Sequence, residues 1–455
     1  MKFQNIVLGL MLAAAMIPGL SQAGPAQEFV LKNGMKVIVK EDHRAPTAVH
    51  MIWYKVGSID EVNGNTGVAH VLEHMMFKGT KKHKPGEFSR IVAASGGRDN
   101  AFTSKDYTAY YQQIPKSRLK DMMALESDRM ANLILDEKEF SKEIRVVMEE
   151  RRWRTDDKAA ALLDESLNAT AFMAHPYRRP VIGWMSDLQN MRVQDARAWH
   201  DQWYAPNNAT MVVTGDVDAK RVRALAEKYF GGIKPKKLSV TRPQDEPEQR
   251  GIKRVLVKAP ADNPVVVLAF KVPSLRNIEK DDDVFALDVL AAVLDGYDNA
   301  RLTAKLVRTE KKANDVSADY SPLVRGPSLF VLEGSPVLGV GTMELEKMLR
   351  AEVDRIAKEG VSEAELNRVK TQLVASQVYK RDSLFGQAME IGVMEMSSIG
   401  HKQIDRMIEK LKAVTPGQVR AVAQKYFGDD SLTIATLVPL PVSEKKEPVP
   451  SGMRH

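Results

Sequence analysis

The chain of 455 residues is 44% hydrophobic, spreads a formal charge of +7 over 66 basic and 59 acidic side chains, and contains no cysteine. That length allows two ordinary domains with substantial cores. The missing thiols exclude disulfides, zinc fingers, iron–sulfur centres and a cysteine nucleophile, so His, Asp and Glu must hold any metal.

Residues 1–23, MKFQNIVLGLMLAAAMIPGLSQA, place a basic Lys2 before an apolar stretch from Ile6 to Leu20, with Ser21 and Ala23 ahead of Gly24. This is the pattern of a secretory signal peptide, and the apolar run is shorter than the roughly 20 residues of a spanning helix. The expectation is export to a periplasm, with no membrane span after cleavage. FVLKNGMKVIVKED then predicts a hairpin turning at Asn33 and Gly34, and TAVHMIWYKVGS a further strand. GVAHVLEHMMFKGT has helical spacing, and RDNAFTSKDYTAYYQQIP, rich in Thr and Tyr, predicts a strand. Residues 116–133 and 137–154 predict helices, and ATMVVTGDV a strand after Pro206, Asn207 and Asn208.

KPKKLSVTRPQDEPEQRG loses apolar periodicity and gains Pro and charge, which marks a linker. Beyond it the order repeats: VQDARAWHDQWYAPNNATMVVTGDV and PGQVRAVAQKYFGDDSLTIATLVPL are both a helix ending in aromatics, a polar turn and an apolar strand. The reading is α+β with two related halves: a first domain over 24–235, a linker over 236–252, a second domain over 253–440 and a disordered tail over 441–455. No long basic run marks a nucleic-acid tract, so the charge reads as a mixed solvated surface.

The chemistry concentrates at His70, Glu73 and His74. Imidazoles one helical turn apart project from one face and can chelate a zinc ion, and the adjoining carboxylate can take a proton from its water; His-x-x-Glu-His is an inverted zinc-peptidase motif. A third ligand is needed, and Glu143 and Glu150 lie two turns apart on one helix face while Glu149 points elsewhere. The plain alternative is a solvated face in which Glu143, Glu149 and Glu150 pair with Arg145, Arg151 and Arg152. His43, His50, His83, His200 and His401 lack partners at ligand spacing, and the Met-rich stretches near 75 and 389 read as helix core.

HVLEHMMFKGT, GGRDNAFTSKDYTAYY, EIRVVMEE, HPYRRPVIGW and YAPNNATMVVTGDV, in this order and spacing, resemble the pitrilysin/insulinase family of zinc peptidases, in size the mitochondrial processing peptidase type built from two halves. The resemblance covers nearly all of the mature chain and is strongest from 30 to 235. It implies two homologous domains of mixed antiparallel sheet packed with helices. It also implies one zinc ion per chain on His70, His74 and Glu150, with Glu73 as catalytic base and Glu143 as the carboxylate that orients a ligand from behind. Asn100 and Ala101 match an edge-strand motif to which a peptide adds as an extra strand, and His175 in HPY matches a structural residue.

The second half has no His-x-x-Glu-His in FALDVLAAVLDGYD, so a second zinc site of this kind is not implied. Many members carry an arginine there and a tyrosine seven residues on; Arg308 matches the first, but Asp315 stands at the second and Tyr320 is off register. The activity implied is zinc-dependent endopeptidase cleavage of peptides or unfolded polypeptides by activated water. The alternative is a catalytically weak or inactive companion subunit that binds peptides and works with a related chain. The partners implied are a peptide substrate and, in assembly, a second copy or a related family member.

Overall fold

The computed structural model describes residues 24–238 and 244–441. The expected signal peptide, residues 239–243 of the linker and residues 442–455 of the tail lie outside the described residues.

Alternating apolar segments build two sheets. In the first half β1 (Gln27–Val30), β2 (Lys36–Glu41), β3 (Thr47–Tyr54), β4 (Arg98–Thr103), β5 (Thr108–Pro115) and β6 (Ala209–Gly215) form a six-stranded sheet in the order β1-β2-β6-β3-β5-β4. In the second, β7 (Lys253–Pro260), β8 (Val265–Val272), β9 (Ala313–Tyr320), β10 (Ser328–Pro336) and β11 (Leu432–Leu440) form a five-stranded sheet in the order β7-β11-β8-β10-β9. Leaving out β1, the two orders are the same, and each sheet is antiparallel except for one pair, β2 with β6 and β7 with β11. The internal likeness read from the sequence is therefore a repeat of topology. The fold is α+β, two homologous sheets packed with helices.

The first half carries helices α1 (Val68–Met75), α2 (Glu87–Ala94), α3 (Leu119–Asn132), α4 (Glu137–Arg151), α5 (Ala159–Ala171), α6 (Met185–Asn190), α7 (Val193–Trp203) and α8 (Ala219–Phe230). The second carries α9 (Asp282–Asp295), α10 (Thr342–Glu359), α11 (Glu363–Lys380), α12 (Leu384–Met396), α13 (Ile404–Ala413) and α14 (Pro416–Tyr426). RDNAFTSKDYTAYYQQIP is a hairpin and not a single strand. Ser104 reverses the chain: its Oγ accepts the N–H groups of Asp106 and Tyr107, both at 3.1 Å, and its own N–H donates to Tyr107 O. A serine turn of this kind carries no Gly or Pro to announce it.

Each sheet has an inner face covered by its own helices. Val39, Ile52 and Tyr54 meet Val71, Leu72, Met75 and Val147 in the first core, and Leu268 and Phe270 meet Leu287, Leu290 and Val353 in the second. Met75 and Met76 are buried, as the core reading of that stretch expects. The other face of each sheet is covered by a helix from the opposite half. Ala388, Ile391 and Met396 of α12 pack on Ile38, Val49, Met51, Trp53 and Val212 of the first sheet. Leu163 and Leu167 of α5 pack on Ala259, Val267, Ala269, Ala435 and Leu437 of the second. Gly392 permits the first of these contacts, since a Cβ there would overlap the Trp53 indole.

Polar anchors reinforce the joint, two of them from the linker and the β9–β10 connection. In the stretch read as a linker, the Glu246 carboxylate accepts the N–H groups of Met173, Ala174 and His175 at 2.8–3.0 Å and meets Lys271 Nζ at 2.8 Å. From the β9–β10 connection, Arg325 reaches into the first half and grips both oxygens of Asp60, at 2.7 and 2.9 Å, while its N–H donates to Asp106. The next residue, Gly326, donates to Tyr177 OH, and a Cβ on it would overlap His175. The HPY segment is thus the seat of a loop from the other half.

Asp60 has a side chain only 1% exposed, so Arg325→Ala leaves a buried charge without its guanidinium partner. Removing one partner of such a pair costs about 3 kcal/mol or more. The expected result is a lower urea midpoint with the native circular dichroism retained before the transition; an unchanged midpoint contradicts this account of the joint.

Candidate active site

Helix α1 follows the loop after β3, and Gly67 opens it at φ 85°, a left-handed conformation that favours glycine. The site also leaves no room for a Cβ, which would lie 2.5 Å from Ile182 O. The first N–H groups of the helix are satisfied by Glu61, whose carboxylate oxygens accept from Gly67 at 2.9 Å and Ala69 at 3.0 Å. Burial pushes the Glu61 carboxyl up to about 8, against the pull of these two donors and of Arg179. Val68, Val71, Leu72 and Met75 enter the core, which turns His70, Glu73 and His74 toward α4 and β4.

Helix α4 is capped by Asp136, whose side chain accepts from Lys138 N and Glu139 N. Phe140, Ile144 and Val147 bury one stripe, and Glu143 and Glu150 come off the helix toward α1. Glu150 Oε2 lies 3.3 Å from His74 Nε2 and 3.7 Å from His70 Nε2. Glu143 Oε2 lies 3.3 Å from the other nitrogen of His74, Nδ1, and its Oε1 is 2.7 Å from Lys78 Nζ. Glu73 accepts from Thr103 Oγ1 at 2.5 Å. The His70 and His74 rings meet edge to face at 4.8 Å. His70 Nδ1 is buried and has no hydrogen-bond partner among the described residues.

The protonation pattern follows from crowding. Burial and the neighbouring His74 push His70 down to about 3. For His74, burial opposes the charge but Glu143 and Glu150 outweigh it and carry the ring up to about 9. Imidazoles sharing one carboxylate cannot both keep a proton, so they split. Burial also works against Glu150, yet the imidazoles and Arg154 hold it at about 2. Burial raises Glu73, with Thr103 pulling the other way.

A tetrahedral zinc ion with bonds of about 2.0–2.1 Å sets its ligand atoms roughly 3.3–3.4 Å apart. His70, His74 and Glu150 offer ligand atoms within 4.8 Å of one another; of the two separations from Glu150 Oε2, the 3.3 Å to His74 matches that spacing and the 3.7 Å to His70 exceeds it by a few tenths of an ångström. The donor set, two imidazoles and one ionised carboxylate, is one that zinc takes.

Asn100 and Ala101 lie on β4, the edge strand of the first sheet, and the Asn100 side chain accepts the Ala101 N–H at 2.9 Å. Thr103, which holds Glu73, ends that same strand. Arg308 sits on a π-helical turn over Thr303–Thr309, exposed and without an ion pair among the described residues. Asp315 is exposed on β9, and the Tyr320 hydroxyl is committed to Pro273 O at 2.6 Å.

The sequence reading missed Thr103, Lys78 and Glu61. Lys78 falls one helical turn beyond His74, a spacing that could have flagged it; Glu61 is recognisable only once the loop closes on α1. His401, read as partnerless, meets Glu395 at 2.7 Å and Glu28 at 3.7 Å. Lys36 Nζ already lies 2.5 Å from Glu395, so this second cluster of ligand-type residues reads as a charge network tying α12 to the β1–β2 hairpin.

Residues 36–184 match the family model for Insulinase (Peptidase family M16), and residues 190–373 that for the Peptidase M16 inactive domain. The chain is 33% identical over 423 residues to the Helicobacter pylori protein named Zinc protease PqqE, covering 91% of this chain and 93% of that one. The crystal structure of a protease from Helicobacter pylori superposes with a TM-score of 0.86 at 30% identity, over 91% of this chain and 100% of the other. The periplasmic protease PqqL from Escherichia coli shares the fold, with a TM-score of 0.78 at 18% identity, over 93% of this chain but only 50% of its own.

Glu61→Ala removes the acceptor of two buried N–H groups at the start of α1. An unsatisfied buried donor costs about 1–3 kcal/mol, so the expected loss is about 2 kcal/mol or more. Glu61→Gln keeps one acceptor oxygen and loses less, the order to be read from urea midpoints of metal-free protein.

Proposed function

The chain belongs to the insulinase family of peptidases, M16, and on that premise we propose that it is a zinc-dependent endopeptidase in which His70, His74 and Glu150 hold one zinc ion and Glu73 is the base. The observation that carries the reading is the approach of Glu150 Oε2 to both Nε2 atoms at 3.3 and 3.7 Å. Zinc held there supplies a Lewis acid for the scissile carbonyl and lowers the pKa of a water toward about 7.

The chain's own groups do the rest. Glu73, steadied by Thr103, takes the proton of the attacking water and returns it to the leaving amine. Glu143 and Lys78 fix the orientation of His74 through Nδ1, which commits Nε2 to the metal side. A substrate strand added to β4 is gripped through the main chain around Asn100 and Ala101, and Asn100 must release the Ala101 N–H it now holds. Thr103 lies three residues further along, about 10 Å at strand spacing, so one strand both positions the peptide and holds the base. Arg308, exposed and without an ion pair among the described residues, is the proposed substrate contact of the second half.

The signal-like first 23 residues support export to a periplasm. The Escherichia coli fold relative is about two such chains long, which supports a pair, either two copies or this chain with a related one. A second reading, a weak companion dependent on a partner, is favoured by Asp315 at the tyrosine position and by the commitment of Tyr320 to Pro273.

The deciding experiment measures zinc per chain and cleavage of a fluorogenic unfolded peptide by the mature protein and by Glu73→Gln. The variant keeps its zinc and cleaves at least about 100-fold more slowly. Chelation abolishes wild-type cleavage and added zinc restores it. Equal cleavage by the variant rules out Glu73 as the base, and a wild type that binds peptide but no zinc supports the companion.

A further inference from the structure

The segment EERRWR, residues 149–154, holds more charge than the proposed site uses. Such a run is by default a solvated face with ion pairs worth little. The structure sorts it into three separate pairings. Glu149 and Arg152 meet at 2.6 Å in the open. Arg151 turns inward, with bonds of 2.8 and 2.9 Å to the two oxygens of Glu165 and one of 2.9 Å to Gly183 O. Arg154 turns back onto the site, its Nη1 2.5 Å from Glu150 Oε1.

The third pairing divides the Glu150 carboxylate. Oε1 is held by the guanidinium, while Oε2 faces the two imidazoles. The backbone fixes where Arg154 starts. After Arg151 the α-helix passes into a π-helical turn over Arg152–Asp156, with Asp157 N–H donating to Arg152 O at 2.8 Å, and the buried bonds of Arg151 clamp the helix just before it. Turns of this kind gather at functional sites in helices. We infer that Arg154 is a positioning residue for the zinc ligand Glu150, holding one carboxylate oxygen so that the other alone is presented to the metal.

The inference rests on the zinc reading above. A charge-assisted bond that fixes a ligand in advance leaves less orientational freedom to lose when the metal binds. The like charge of guanidinium and metal works in the opposite direction. Arg154 is 59% exposed, so water and salt screen that repulsion, while the contact with Oε1 is direct.

The test is zinc affinity of the full mature chain, by competition with a chromophoric chelator, for wild type, Arg154→Ala, Arg154→Lys and Arg152→Ala. Urea midpoints of the metal-free proteins run alongside. Loss of an outer partner of a ligand weakens metal binding about 10- to 100-fold, so Arg154→Ala is expected to weaken zinc by about 10-fold or more. Lysine, a point charge without the planar fork, recovers part of the loss. Arg152→Ala, which removes only the exposed partner of Glu149, leaves the affinity as it is. Zinc binding by Arg154→Ala as tight as wild type or tighter overturns the positioning role and leaves the zinc reading standing. A wild type that takes up no zinc overturns both. A lowered midpoint in both Arg154 variants, with no recovery of affinity by lysine, makes the residue merely structural and also overturns the inference.

Discussion

The structure turns on an electrostatic constraint at the meeting of α1 and α4. Three carboxylates, Glu73, Glu143 and Glu150, stand beside two imidazoles in a largely buried pocket, where like charges repel and burial costs each ion part of its hydration. Each acidic group is answered by a specific neighbour: Thr103 for Glu73, Lys78 and His74 for Glu143, Arg154 for Glu150. These partners come from a strand end, a helix end and a π turn. The surrounding fold is what keeps five titratable groups within reach of one another without collapse into one tight salt bridge.

That demand explains the investment around α1. The helix is only eight residues long, too short to persist alone. Its start is tied by Glu61, and Thr66, just before it, is held by Asp187 and Trp184. Its apolar side is locked in the first core, and the loop that supplies Glu61 is gripped one residue earlier by Arg325 from the second half. The half that lacks the histidine motif is thus a structural neighbour of the loop that caps the site.

Much of this was legible in the sequence where chemistry and period coincide. His70, Glu73 and His74 share a turn, Glu143 and Glu150 share a helix face, and both facts follow from 3.6 residues per turn. The choice between Glu143 and Glu150 as the inner carboxylate was not a matter of period, since both point the same way; the structure separates them by which nitrogen of His74 each one meets. The two-half repeat was also visible, because helix, polar turn and strand recur in order. What sequence could not carry was the hairpin at Ser104, the partners of His401 and the crossing of α5 and α12. The hairpin depends on a turn made by a side chain, the crossing of the helices on residues distant in the chain, and the site of His401 on Glu28, far away, and on Glu395, six residues back at no helical spacing.

The exchanged helices bear on how the chain can acquire its shape. Among the described residues, the face of the first sheet that presents Ile38, Val49, Met51, Trp53 and Val212 is covered chiefly by α12, which ends at Met396, with Ile404 of α13 beside it. During synthesis the first six strands are complete at Gly215, well before their cover ends at Met396, so this apolar surface stays open while that stretch of chain is made. Folding from the N-terminus domain by domain, the usual habit of larger proteins, cannot finish here with the first half alone. The inner core of the first half can form from its own residues, but the outer faces of both sheets close only when the halves meet, late in the chain.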